Sequence, residues 1–282
     1  MVTDSADLSK GLNFGDRVRE RASTIHGWLC VGLDPSMEKL PAGLSPGAAG
    51  MTQFCREIIQ ATSGSATAYK INFAFFEEAG AGGWRALEAV RSAIPAGIPV
   101  IADAKRGDIA NTGRAYARAI FEVLGFDAVT VNPYLGWDAI IPFVSNETRA
   151  VFVLCRTSNP GARDFQDLET DGVPLYMRVA RESMGRQTPG EIGLVVGATH
   201  PDSLRDVRAL SDDLLLLMPG IGAQGASVLA SIRAGANRLG QNALASVSRE
   251  IIFASVEADF PEAAGEAAKR LAAETWRGDR AG

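Results

Sequence analysis

The chain predicts a (β/α)8 TIM barrel with an N-terminal helical extension, and three observations carry that prediction. Short apolar runs alternate with helix-patterned segments along its 282 residues, as in a parallel sheet joined by crossover helices. Two runs, Val151-Phe152-Val153-Leu154-Cys155 and Leu214-Leu215-Leu216-Leu217-Met218, are unbroken, the mark of strands buried on both faces. No G-x-G-x-x-G follows the first strand, which disfavours a doubly wound open sheet.

The elements follow in order. Phe14 to Arg21 reads as a helix covering the barrel bottom. Strands are predicted at Leu29–Leu33, Ala68–Asn72, Val100–Asp103, Ala128–Val131, Ala150–Cys155, Gly193–Val196, Leu214–Met218 and Ala243–Val247, making eight. Helices are predicted at Met51–Thr62, Trp84–Ala93, Ile109–Leu124, Trp137–Val144, Pro174–Met184, Pro201–Ala209, Gly225–Ala234 and Glu262–Glu274. Pro35 to Gly50, rich in Pro, Gly and Ser, reads as a loop, and residues after Trp276 as a frayed end. One domain is expected over 1–282: an extension at 1–27, a barrel core at about 28–254, and a C-terminal helix and tail at 255–282.

A hydrophobic share of 46% suits a sizeable core. The net charge of −5 argues against nucleic acid or an acidic membrane as a partner. No signal pattern opens the chain and no apolar run reaches membrane-spanning length. Cys30, Cys55 and Cys155 lack metal-ligand spacing, and Cys30 and Cys155 sit in strand-like runs, so buried reduced thiols are expected. A cytoplasmic enzyme is the expectation.

In a parallel barrel the chemistry lies at the C-terminal strand ends. Those ends carry Asp34, then Lys70 and Asn72, then Asp103-Ala104-Lys105, with Asp108 three residues on. Lysine is scarce, occurring only at positions 10, 39, 70, 105 and 269, yet two of the five stand at strand ends. A lysine between carboxylates is costly to hold there unless the charges pair or do chemistry. Bland readings stand beside this one. Asp34 before Pro35 could initiate a turn, Lys70 could snorkel, and Asp103, Lys105 and Asp108 could form a structural ion-pair network. Asp108 could also cap the following helix. The seventh strand ends in the glycine-rich turn Pro219 to Gly225, and the eighth in Ser248-Arg249. Barrels commonly bind phosphate with the loops after these two strands, using free N–H groups and a guanidinium fork. His200 before Pro201 reads as a helix start, and no spacing calls for a metal.

The spacing D-x-K-x-x-D at Asp103, Lys105 and Asp108 occurs with Leu29-Cys30-Val31-Gly32-Leu33-Asp34-Pro35, Tyr69-Lys70-Ile71-Asn72, Asn132-Pro133-Tyr134 and Pro219-Gly220-Ile221-Gly222-Ala223-Gln224-Gly225. In order and spacing these resemble the orotidine 5′-phosphate decarboxylases, in their longer, mycobacterial-type bacterial branch, from about Phe14 to Ala254. The resemblance implies a cofactor-free homodimer that converts orotidine 5′-monophosphate to uridine 5′-monophosphate and CO2 in de novo pyrimidine biosynthesis. It implies Lys105 as the general acid at C6, with Asp103 orienting it and crowding the substrate carboxylate. Asp108 and Thr112 would reach into the partner subunit's site. Asp34 and Lys70 would contact ribose hydroxyls, Ser158 the pyrimidine edge, and Pro219, Gln224 and Arg249 the phosphate end. One departure is visible: related enzymes commonly carry glycine beside the strand-eight arginine, whereas Ser248 and Glu250 flank Arg249 here.

Three other readings remain open on the sequence. A metal-dependent sugar-phosphate lyase or decarboxylase of the same superfamily shares the D-x-K-x-x-D motif. A Schiff-base aldolase could act through Lys105 or Lys70, and a silent phosphate-ligand binder could keep the site without turnover.

Overall fold

A computed structural model describes residues 11–222 and 225–276. The chain runs α1 (Phe14–Ile25), β1 (Leu29–Leu33), α2 (Ala48–Thr62), β2 (Ala68–Asn72), α3 (Phe73–Glu77), α4 (Gly80–Ala93), β3 (Val100–Arg106), α5 (Ala110–Arg118), β4 (Ala128–Val131) and β5 (Ala150–Arg156). It continues through a small hairpin of β6 (Glu169–Thr170) and β7 (Val173–Pro174), then α6 (Leu175–Met184), β8 (Glu191–Val196), α7 (Pro201–Arg208), β9 (Leu216–Met218), α8 (Val228–Gly235), β10 (Ala243–Val247), α9 (Arg249–Ile252) and α10 (Phe260–Thr275). Eight parallel strands close in the order β1-β10-β9-β8-β5-β4-β3-β2, the predicted (β/α)8 TIM barrel. No helix of the described residues is long and apolar enough to cross a membrane.

The strands are mostly apolar because both faces are covered: β1, β4 and β10 are buried at every position. At the bottom, α1 presents Phe14, Val18 and Ala22 on one face, four residues apart. The Asn13 side chain starts this helix by accepting the Asp16 N–H at 2.8 Å, and His26 ends it in the left-handed region at φ 52°. Phe14 meets Phe152 of β5 edge-to-face, ring centroids 5.8 Å apart. Gly193 of β8 makes room for that ring, since a Cβ there would lie 2.8 Å from Phe152. The N-terminal helix therefore plugs the barrel, as the sequence predicts. The three cysteines are free and buried, and burial pushes the Cys30 and Cys155 thiols up to about 12.

Several boundaries differ, each for a local reason. The third and fifth strands run on to Arg106 and Arg156 because register shifts let pairing resume beyond the rim residues. The seventh strand starts at Leu216, not Leu214, because β10 first pairs with it at Ala243. The predicted helix at Trp137–Val144 is instead two 3-10 turns, Trp137–Ala139 and Ile141–Phe143. Pro142 has no N–H to give and disfavours α geometry at Ile141. The fifth helix starts at Ala110 and gives way to a π-helical turn over Ala119–Val123. The predicted helix at Gly225 starts at Val228, where the Ser227 hydroxyl caps it. Three elements escaped the sequence reading: the short α3 directly after β2, the β6–β7 hairpin and the short α9 after β10. The expected loop at Pro35–Gly50 holds a 3-10 turn at Met37–Lys39 and the first turn of α2. The expected frayed end after Trp276 lies outside the described residues.

Candidate active site

Three adjacent strands deliver four charges to the C-terminal mouth. Their register aligns Gly32 with Lys70 and Asn72 with Asp103, so Asp34 and Asp103 end level with Asn72, and Lys70, two residues lower on the strand between them, reaches up to both. Lys70 is 6% exposed. Its ammonium donates to Asp103 Oδ2 at 2.7 Å and stands 3.7 Å from Asp34 Oδ1. Lys105 donates to Asp103 Oδ1 at 2.6 Å, with its side chain 52% exposed towards the mouth. Asp103 therefore bridges two ammonium groups, one buried and one open to the cavity.

Burial alone would drive Lys70 towards its neutral form, but Asp103 and Asp34 overcome it and hold the amine above the ordinary lysine value. Burial would likewise raise Asp103, yet Lys70 and Lys105 hold it well below the usual carboxylate range. Both groups are charged at neutral pH. Asp34 Oδ1 is buried without a hydrogen-bond partner and faces the Lys70 ammonium.

The backbone of the site is irregular. On β3 the pairing jumps from Ala102 opposite Val129 to Arg106 opposite Val131, so four steps on one strand face two on the other. Asp103 to Lys105 bulge out of the ladder with β4, and Lys105 takes φ 47°, a left-handed conformation that costs a side-chain-bearing residue about 1–3 kcal/mol. Such bulges re-aim side chains next to functional sites.

Two adjoining cavities, of about 170 Å³ and about 400 Å³, share Lys70, Asp103, Ser158 and Pro219 as walls. The smaller runs under Gly220, Ile221, Ser248 and Arg249, and its glycine-rich wall needs φ 95° at Gly220 and 74° at Gly222. The larger is lined by Lys105, Thr130, Leu154, Val195 and Leu217, with Thr157 and Gln166 at one side. One end thus offers backbone and guanidinium donors, the middle offers charges, and the other end offers an apolar slot with amide and hydroxyl groups. An elongated anion with a flat polar ring fits that sequence of surfaces.

The structure brings Asp34, Lys70, Asp103, Lys105, Ser158, Pro219 and Arg249 together around this space. It does not bring Asp108 or Thr112 there within one protomer: neither is among the described residues lining the cavities. Asp108 accepts the N–H of its neighbour Ile109 at 2.8 Å, which is one residue short of the regular cap position. Thr112 is exposed on the first turn of α5. Gln224 lies outside the described residues. Glu250, the unexpected acid, does not line the cavity: its carboxylate pairs with Arg270 of α10 at 3.2 Å and packs against Gly222, where a Cβ would collide with it. His200 is the residue before the first turn of α7. Among the described residues no three His, Cys, Asp or Glu side chains group as metal ligands.

Three polar wall residues, Thr130, Gln166 and Ser246, were not singled out from sequence. Thr130 is the one hydroxyl in Ala128-Val129-Thr130-Val131, a faint signal because threonine is also an ordinary strand former. Gln166 sits in an irregular loop, where periodicity gives no signal. It accepts the Thr157 N–H at 2.7 Å.

The family model described as Orotidine 5'-phosphate decarboxylase / HUMPS family matches residues 27–267. A curated relative from Thermomicrobium roseum, named orotidine 5'-phosphate decarboxylase, is 48% identical over 263 residues, 92% of this chain and 94% of its own length. A relative of the same name from Cupriavidus necator is 46% identical over 239 residues, 84% of this chain and 88% of its own. The solved structure of Leishmania donovani OMP decarboxylase superposes with a TM-score of 0.82 at 44% identity, covering 94% of this chain and 99% of that one. Leishmania donovani UMP synthase gives 0.84 at 45% identity over 94% of this chain, which spans 57% of that longer protein.

Proposed function

Because the chain belongs to the orotidine 5'-phosphate decarboxylase / HUMPS family, we propose that it decarboxylates orotidine 5′-monophosphate to uridine 5′-monophosphate in pyrimidine biosynthesis. The observation that carries this reading is the chain of contacts Lys70–Asp103–Lys105 at the cavity wall. Losing CO2 from C6 leaves an in-plane carbanion that the pyrimidine π-system cannot delocalise. The Lys105 ammonium is the group positioned to stabilise it and to deliver the proton. At 4 Å and an effective dielectric of 20, such a pair is worth about 4 kcal/mol. Enzymes lower barriers by roughly 8–23 kcal/mol, so one ammonium does not suffice.

The remainder is assigned to two sources. Asp103 is held ionised and cannot move away from a carboxylate placed beside it, so the substrate anion is crowded until CO2 departs. Phosphate binding at Pro219, Gln224 and Arg249 supplies remote energy to enforce that approach. Asp34 and Lys70 take the ribose hydroxyls, and Ser158 the pyrimidine edge. Asp108 and Thr112 act in the site of a second copy. Ile109, Tyr134, Leu135 and Ile141, all more than half exposed, surround that segment with an apolar face of the kind that marks an interface. No metal or organic cofactor enters the proposed reaction.

The test is a spectrophotometric assay with orotidine 5′-monophosphate in the presence of EDTA. Sustained loss of substrate absorbance with CO2 release is expected. EDTA-insensitive release excludes the metal-dependent sugar-phosphate branch, and no turnover would overturn the reading.

A further inference from the structure

We propose that Thr130 of β4 is a positioning residue that fixes the Lys105 ammonium, an inference that rests on the proposed decarboxylase reaction. Thr130 is 2% exposed and sits opposite the bulge where β3 leaves its ladder. Its hydroxyl oxygen accepts the Lys105 N–H at 2.9 Å and donates to Asp103 Oδ1 at 3.1 Å. That same carboxylate oxygen receives the Lys105 ammonium at 2.6 Å. One hydroxyl therefore ties together both ends of Lys105, the backbone directly and the side chain through Asp103.

The chemistry of the position is restrictive. Lys105 stands at φ 47° outside the β ladder, so its N–H needs a partner from elsewhere. The partner must also donate towards a carboxylate. A hydroxyl does both, whereas an apolar strand residue does neither. The β-branch adds the third requirement, because a threonine in a strand has a restricted χ1 and holds its hydroxyl in one direction. Barrel lumens are usually filled by Val, Ile or Leu, and Val would fit this volume while abolishing both bonds. Asp103 is thereby fixed in rotation as well as place: Oδ2 faces Lys70, and Oδ1 faces Lys105 and Thr130.

The experiment compares Thr130→Val, Thr130→Ala and Thr130→Ser with the wild-type protein. Steady-state turnover of orotidine 5′-monophosphate is read alongside the acylation rate of Lys105 by acetic anhydride, followed by peptide mass spectrometry. The Val and Ala variants are expected to lose about 100-fold in kcat, the scale set by a misplacement of about 1 Å, with KM nearly unchanged. Lys105 acylation should change in both, and Ser, which keeps the hydroxyl but lacks the β-branch, should recover most of the loss in both readouts. A purely structural role would lower the folded fraction without separating kcat from KM. A Val variant that folds and keeps kcat within about twofold of wild type, or a Ser variant as impaired as Val, overturns the inference. If the wild type does not turn over the nucleotide, the proposed reaction falls, and unchanged Lys105 acylation in the Val and Ala variants overturns the positioning role on its own.

Discussion

Lys70 and Asp103 hold each other charged, with Asp34 and Lys105 adding to the effect, in a place where burial favours the neutral forms. Removing one partner of such a buried pair leaves an uncompensated charge, at a cost of about 3–5 kcal/mol. Asp103→Asn should therefore lower the unfolding free energy by about 3 kcal/mol, the low end because Asp34 remains 3.7 Å from Lys70; urea denaturation reads this directly. The pair also sets a pH window. Asp103 has a lowered pKa in the fold, so its contribution is present above the ordinary carboxylate value near 4 and fades as pH falls towards the folded value. Lys70 has a raised pKa, so its contribution is complete below the ordinary lysine value near 10.4 and is lost as pH rises through the folded value. Wild-type stability should gain a plateau between these limits, and Lys70→Met with Asp103→Asn should flatten its acid edge. Lys70 was legible in the sequence because lysine is scarce and two of five were expected at strand ends, and Asp103 because it ends a predicted strand and opens D-x-K-x-x-D. Thr130 was not, because a hydroxyl inside an apolar strand looks like ordinary strand composition until its partners across the sheet are known.

At the scale of elements, regular pieces build the frame and irregular ones carry the chemistry. The bounds of β1, β2, β4 and β10 were readable to the residue, because each is a short stretch of mostly apolar residues closed by a polar residue at or just beyond its C-terminal end. The bulges in β3 and β5 were not, since a change of register involves two strands and neither one alone records it. The same holds for the 3-10 turns around Pro142, where an apolar helical spacing masked the effect of one proline. The plug helix α1 gives a test at this scale. Phe14 is fully buried against Phe152, and Phe14→Ala should destabilise the protein by about 3–5 kcal/mol through lost burial and a cavity. Activity per folded molecule should be unchanged, because the plug lies at the end opposite the mouth. A thermal melt paired with the nucleotide assay separates the two.

At the scale of the molecule, the protomer assembles the two ammonium groups and Asp103 but leaves Asp108 and Thr112 outside its own cavity. That division agrees with a site completed by a second copy, and exchange of subunits tests it. Lys105→Ala and Asp108→Asn, each inactive alone, should recover activity on mixing, with about one site in four intact after random exchange. No recovery despite verified exchange rejects the shared geometry. How two copies meet was never legible in the spacing of one chain; the resemblance alone implied it, and the apolar face around Ile109 and Tyr134 is consistent with it.

The most direct measurement of the central claim takes Lys105→Ala alone and records turnover of orotidine 5′-monophosphate beside binding of uridine 5′-monophosphate. Near-total loss of turnover with nucleotide binding largely kept is the predicted result. Substantial turnover without that amine would contradict the account.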